Sequence, residues 1–126
     1  MFEGCTSLAE DLSNTSFTIL LRNSSGTAPA SPFKAMFKGC KNLTTTPIFP
    51  STNSIVGVSC YESMFEGCEK ITNAPVLSAL TLGSSAYKNM FKGCKLLATA
   101  PLLPATQGIG LSSSCYEGMF EECLAL

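Results

Sequence analysis

The sequence predicts an α/β solenoid in which each coil is a short helix plus a short strand. Three observations carry that expectation. One eight-residue block recurs five times. Apolar residues in and just before each block fall at helical spacing. A proline-bearing, β-branched stretch follows most blocks.

The blocks are Met1-Phe2-Glu3-Gly4-Cys5-Thr6-Ser7-Leu8, Met36-Phe37-Lys38-Gly39-Cys40-Lys41-Asn42-Leu43, Met64-Phe65-Glu66-Gly67-Cys68-Glu69-Lys70-Ile71, Met90-Phe91-Lys92-Gly93-Cys94-Lys95-Leu96-Leu97 and Met119-Phe120-Glu121-Glu122-Cys123-Leu124-Ala125-Leu126. Their starts at 1, 36, 64, 90 and 119 give spacings of 35, 28, 26 and 29 residues. Most of these lie in or near the range of about 20–29 expected of a leucine-rich-repeat solenoid. The whole of 1–126 reads as one domain of four to five coils. Residues 9–31 form an irregular insert with its own apolar run, Phe17-Thr18-Ile19-Leu20-Leu21. Both ends fall inside a copy, so the reading is of an uncapped fragment.

Within a copy the helix comes first. Tyr87, Met90, Phe91, Cys94 and Leu97 lie at i, i+3, i+4, i+7 and i+10, and Tyr116, Met119, Phe120, Cys123 and Leu126 repeat the series. That is one apolar stripe at a period near 3.6. Ser84-Ser85 and Ser112-Ser113-Ser114 can cap such a helix by accepting backbone N–H bonds. The glycine before each cysteine can relax its last turn. The strand comes next, over 44–50, 72–77 and 98–104, where Pro47, Pro75 and Pro101 stop any helix. A Ser/Thr/Gly-rich return loop closes the copy.

One copy cannot bury its stripe alone. Stacked copies cover one another's Met, Phe, Cys and Leu, each contributing roughly 1.5–3 kcal/mol when fully buried. Charge supports in-register stacking. The third block position reads Glu3, Lys38, Glu66, Lys92, Glu121, and the sixth reads Thr6, Lys41, Glu69, Lys95, Leu124. Opposite signs would face each other from coil to coil, although exposed pairs contribute only about 0–1 kcal/mol each.

Composition excludes several classes. The chain is 45% hydrophobic and 13% charged, too apolar for disorder. Net charge is −1 with no basic cluster, so no nucleic-acid partner is expected. No apolar run approaches the roughly 20 residues of a transmembrane helix, so no membrane insertion is expected. No signal-peptide pattern opens the chain.

The residues that could carry chemistry point to no catalytic, cofactor or metal site. There is no histidine, which removes Ser-His and Cys-His nucleophiles. The carboxylates recur at repeated positions rather than as an isolated acid/base pair. Gly108-Ile109-Gly110 is only a partial phosphate-loop pattern. Asn14, Asn23 and Asn42 open glycosylation sequons, which matter only in a eukaryotic secretory pathway. Cys5, Cys40, Cys68, Cys94 and Cys123 share one block position, with Cys60 and Cys115 in a second, incomplete column. Packed thiols in the core are the first reading of these columns. Disulfides between neighbouring coils are the second, despite the odd count of seven cysteines. Zinc is the third, without any Cys-x-x-Cys pair to support it.

Cys60-Tyr61-Glu62-Ser63-Met64-Phe65-Glu66-Gly67-Cys68, its near copies and the tail Leu97-Ala98-Thr99-Ala100-Pro101-Leu102-Leu103-Pro104 resemble the bacterial surface-protein 26-residue repeat. This is the BspA-like branch of the leucine-rich-repeat families. The match covers nearly the whole chain except 9–31. It departs at Glu122, which replaces glycine, and at Pro32-Phe33, which replaces Cys-Tyr. The resemblance implies a cell-surface or secreted, non-catalytic scaffold that binds a protein or glycan, as an adhesin does. The alternative is a spacer or accessory region of a larger protein, an enzyme included. The expected binding surface is the variable strand and loop set rather than the repeated block.

Overall fold

The computed structural model describes Gly4 and residues 33–49, 55–103 and 110–126. The insert 9–31, most of the first block with Cys5, and two of the sequons lie outside the described residues.

The helices expected from the apolar stripes are not formed. Among the described residues there is no helix, and the only strands are β1 (Ile55–Val56) and β2 (Thr81–Leu82). These pair in parallel, Ile55 with Thr81 and Val56 with Leu82. Isolated parallel bridges join Leu82 to Leu111 and Asn73 to Thr99. The strands therefore sit in the segments read as return loops. Among the described residues the proline stretches hold no strand, only the bridge residues Ile48, Asn73 and Thr99, of which Asn73 and Thr99 pair with each other. Pro75 and Pro101 have no N–H to offer a ladder, which accounts for part of that difference.

The expected helical segments are instead runs of overlapping turns, stacked in register. Their backbone bonds divide strictly by parity. In the coil containing Tyr61, the N–H groups of Ser59, Tyr61, Ser63, Phe65 and Gly67 donate to the carbonyls of Ser84, Ala86, Lys88, Met90 and Lys92, at 2.7–2.9 Å. The intervening N–H groups of Glu62, Met64, Glu66 and Cys68 donate three residues back, to Ser59, Tyr61, Ser63 and Phe65. The carbonyls of Cys60, Glu62, Met64 and Glu66 accept from Phe33, Ala35, Phe37 and Gly39 of the coil before. Every residue thus gives one backbone group to its own turn and the other to a neighbouring coil, which answers the demand that buried peptide groups be paired.

Positive φ marks the same rhythm. Ser59, Ser63 and Gly67 have φ of 51°, 56° and 74°, and Ser85, Asn89 and Gly93 have 58°, 55° and 73°. Ser114, Gly118 and Glu122 continue the series in the last coil. A left-handed residue every fourth position breaks any right-handed helix. It also turns the next two side chains inward. Cys60-Tyr61 and Met64-Phe65 are buried in this way, as are Ala86-Tyr87 and Met90-Phe91. Of the serines expected as helix caps, Ser85 and Ser114 supply left-handed turn positions instead.

Of the two stripes expected in the core, all of the first is buried even though the helix is absent, whereas in the second Met119 is buried, Tyr116, Phe120 and Cys123 are partly buried and Leu126 is exposed. Tyr87, Met90, Phe91, Cys94 and Leu97 are all buried. Two aromatic columns run through the stack. Phe33, Tyr61, Tyr87 and Tyr116 stack with centroids 5.6–5.9 Å apart, and Phe37, Phe65, Phe91 and Phe120 do so at 5.6–6.1 Å. Such pairs add roughly 0.5–1.5 kcal/mol beyond their burial. Phe49 packs edge-on against Tyr61 at 5.0 Å. Beside it a gap of about 10 Å³, lined by Val56, Leu77 and Tyr87 among others, is too small for a ligand.

Two glycines test these constraints separately. A Cβ at Gly67 would stand 3.7 Å from the Cα of Gly39, in ordinary contact, so its φ of +74° is what excludes a side chain. A Cβ at Gly83 would stand 2.6 Å from the Val58 nitrogen, so there space is what excludes it. Left-handed geometry costs a residue with a Cβ roughly 1–2 kcal/mol. Gly67→Ala should lower stability by about that amount, Gly83→Ala by more, and Glu122→Gly should raise it by about 1 kcal/mol. Urea unfolding monitored by tyrosine fluorescence checks this order.

Candidate functional site

The stacked turns place the chemistry-bearing side chains in columns, not in a cleft. The thiols form the inner column. The Cys68 Sγ–H donates to the Phe37 carbonyl at 3.0 Å, Cys94 to Phe65 at 3.2 Å and Cys123 to Phe91 at 3.1 Å. Each thiol therefore joins its own coil to the one before. The six described cysteines, Cys40, Cys60, Cys68, Cys94, Cys115 and Cys123, are free. Disulfides between coils, one of the three readings of these columns, are not formed among them. The register that aligns the block positions also points the sulfurs of Cys68, Cys94 and Cys123 at backbone carbonyls. Among the described residues no three metal-ligating side chains come together.

Burial keeps Cys60, Cys68 and Cys94 protonated. It pushes Cys60 and Cys68 up to about 12 from an ordinary 9.0, against smaller opposing hydrogen bonds. Cys94 is raised further, by burial and then by its neighbours Cys68 and Cys123. A thiolate is the reactive form, so this column is inert packing rather than a nucleophile array.

The outer columns are charged. Lys38 pairs with Glu66 at 3.2 Å and Lys92 with Glu121 at 3.0 Å, as the alternating third block position suggests. At the sixth position Glu69 sits between Lys41 at 3.3 Å and Lys95 at 3.2 Å. Hydrogen bonds from Lys95 and Lys41 hold its carboxyl below the usual range. A third column was missed in the sequence. Lys34 pairs with Glu62 at 3.0 Å and Lys88 with Glu117 at 2.8 Å. Its signal was present, because the residue two before each methionine reads Lys34, Glu62, Lys88, Glu117. Burial acts upward on the Glu62 carboxyl, but hydrogen bonds from Ser59 and Lys34 and the nearby lysine charges hold it low. Glu62, Glu69 and Glu117 are all held low, the opposite of what a general acid needs.

The remaining face is neither inert nor paired throughout. After each block the chain runs over Thr44–Phe49, Thr72–Leu77 and Ala98–Leu103. Asn73 and Thr99 are exposed and bridged, with the Thr99 hydroxyl donating to the Asn73 amide oxygen at 3.3 Å. Thr44, Thr45, Thr46, Asn73 and Ala74 line a shallow groove of about 200 Å³. Beside this polar ladder stand Ile48, Val76 and Leu102, each directly after a proline and exposed by 44%, 81% and 87%. Their partners inside, Leu77 and the half-buried Phe49 and Leu103, anchor the same segments to the core. An apolar row beside hydrogen-bonding groups can recognise a ligand without reacting with it.

Comparison with protein-family models, curated proteins and solved structures gave no match. Among the described residues no helix is long and apolar enough to cross a membrane.

The thiol geometry has a direct test. Iodoacetamide at pH 8 should leave Cys60, Cys68 and Cys94 unlabelled in the native protein and modify them promptly in guanidinium. Labelling at equal rates in both conditions would show that the column is open.

Proposed function

We propose that this chain is a non-catalytic binding scaffold whose ligand, a protein or glycan surface, lies along the Asn73–Thr99 bridge, the adjoining groove of Thr44, Thr45 and Thr46, and the row of Ile48, Val76 and Leu102. The observation that carries this reading is the exposure of Val76 and Leu102 at matching positions of successive copies. Solvent-facing residues are under no packing demand to be apolar, and a contiguous row of them marks an interaction surface more often than scattered ones do. The columns elsewhere are committed to holding the stack together, which leaves this face as the variable one. The resemblance of the repeated block to bacterial surface-protein repeats supports a cell-surface or secreted setting and an adhesin-like role. Stacked repeats make extended binding faces of this kind.

The test is a screen of the purified chain against immobilised host-surface proteins and glycans, followed by Val76→Asp and Leu102→Asp. The double variant should keep its unfolding midpoint, because surface changes usually stay within about 0.5 kcal/mol. Its affinity should fall by at least about tenfold, the equivalent of 1.4 kcal/mol. Saturable binding that ignores both substitutions, or no saturable binding at all, would overturn the proposal.

A further inference from the structure

The charges of this molecule are confined to one stretch of each coil. Across residues 33–126, every Asp, Glu, Lys and Arg falls within 34–41, 62–70, 88–95 or 117–122. These are the stacked turns, where lysines and glutamates of adjacent coils pair. The proline segments 44–49, 72–77 and 98–103 carry no charge, although about 25–35% of a soluble surface is ordinarily charged. A face exposed in three successive coils and empty of charge selects against ionic ligands, because nothing on it offsets the loss of an ion's hydration.

The alignment of the copies gives that face a cross-section. Thr45, Asn73 and Thr99 hold one position and Thr46, Ala74 and Ala100 the next, while Ile48, Val76 and Leu102 stand two beyond, after a proline. Hydrogen-bonding side chains thus come first, small ones next and aliphatic ones last. The groove of about 200 Å³ lined by Thr44, Thr45, Thr46, Asn73 and Ala74 lies on the polar side. That is below the roughly 300–1,000 Å³ of a pocket that encloses a small molecule, so it seats one unit of a longer ligand. The exposed Thr99 and Ala100 repeat the arrangement one coil on. Bridged segments stand about 4.7–4.9 Å apart, so a ligand lying along the stack meets matching groups at each such step.

The hydrogen bonds say what such a ligand offers. Asn73 gives one amide N–H to the Thr72 hydroxyl at 3.2 Å and accepts from the Thr99 hydroxyl at 3.3 Å. Its second N–H can still donate, and the Thr99 oxygen can still accept. An uncharged group that both accepts and donates at such a site is a hydroxyl. A peptide added there as a strand finds no row of free N–H groups. Pro47, Pro75 and Pro101 have none, and the Ala98 N–H donates to the Thr72 carbonyl at 3.1 Å. Nor do these positions hold the aromatic or arginine anchors on which protein interfaces centre. A sugar ring fits both halves of the face, with hydroxyls at its edge and C–H groups that pack on aliphatic side chains. We propose that the groove and the aliphatic row bind an uncharged polysaccharide lying along the stack, successive sugars on successive coils. This rests on the ligand face described above and narrows it to one class.

The experiment is calorimetric titration of the 126-residue protein with cellohexaose, maltohexaose and mannohexaose, and with the galacturonate hexamer as the charged counterpart. A neutral hexamer should bind at least about tenfold more tightly than the galacturonate, with an affinity that does not change as salt rises. Asn73→Val with Thr99→Val removes the amide and the hydroxyl from exposed positions and keeps side chains suited to extended backbone. That double variant should keep its unfolding midpoint and lose at least about tenfold in affinity for the same hexamer. Equal or tighter binding of the galacturonate, salt-sensitive binding, or indifference to the double variant would overturn the polysaccharide and leave the face to another ligand. The same follows if no neutral hexamer binds while a protein does and is lost with Val76→Asp and Leu102→Asp. No saturable ligand of either kind would overturn both readings.

Discussion

Everything in this molecule depends on how each residue shares out its two backbone groups. A residue such as Phe65 sends its N–H to Met90 in the next coil and offers its carbonyl to Cys68 in its own turn. Its neighbour Met64 does the reverse, donating within the turn and accepting from Phe37 of the coil before. This division satisfies the peptide groups without a helix or a long strand. It also forces register, because a slip of one residue would bring donor against donor. The cost is a left-handed residue at every fourth position, and the sequence meets it with small or polar residues such as Ser59, Ser63 and Gly67. The aromatic, thiol and charge columns follow from that register. Once the backbone of one coil sits directly on the next, equivalent side chains must meet.

The repeat, the buried positions and two of the three charge columns were legible in the sequence. The local conformation was not. Paired apolar residues every four positions, as in Cys60-Tyr61 and Met64-Phe65, produce the i, i+3, i+4, i+7 series that also marks a helix. The two structures differ in the residue just before each pair. A helix would favour alanine, glutamate or lysine there, whereas Ser63, Asn89 and Gly118 are poor helix formers that tolerate positive φ. Only Gly39, Gly67 and Gly93 stood out in the sequence, and they lie near the block's end, where a helix cap explains them equally well. The strands escaped for another reason. Ile55–Val56 and Thr81–Leu82 are two residues each, too short to show alternation, and they sit among serines and glycines that read as loop.

The candidate ligand face was legible in kind but not in detail. Residues outside the repeated block were expected to vary and to face a partner, and the segments carrying Val76 and Leu102 are among them. The sequence does not distinguish which apolar residue after each proline points out. In the structure the first does, at Val76 and Leu102, and the second points in, at Leu77 and Leu103, because the core needs only one per coil. The same division explains why no reactive centre forms from seven cysteines and nine carboxylates. Register commits the described thiols to packing, Cys68, Cys94 and Cys123 to backbone carbonyls as well, and most of the described carboxylates to lysines of an adjacent coil.

The most direct test of this account is nuclear magnetic resonance detection of scalar couplings across hydrogen bonds in the labelled protein. The structure requires the Phe65 amide nitrogen to couple to the Met90 carbonyl carbon, and the Tyr61 nitrogen to that of Ala86. The Met64 nitrogen must couple three residues back, to Tyr61. Couplings from Phe65 to Tyr61 and from Met64 to Cys60 would instead show an α-helix, and would contradict the stacked-turn backbone on which the columns and the ligand face rest.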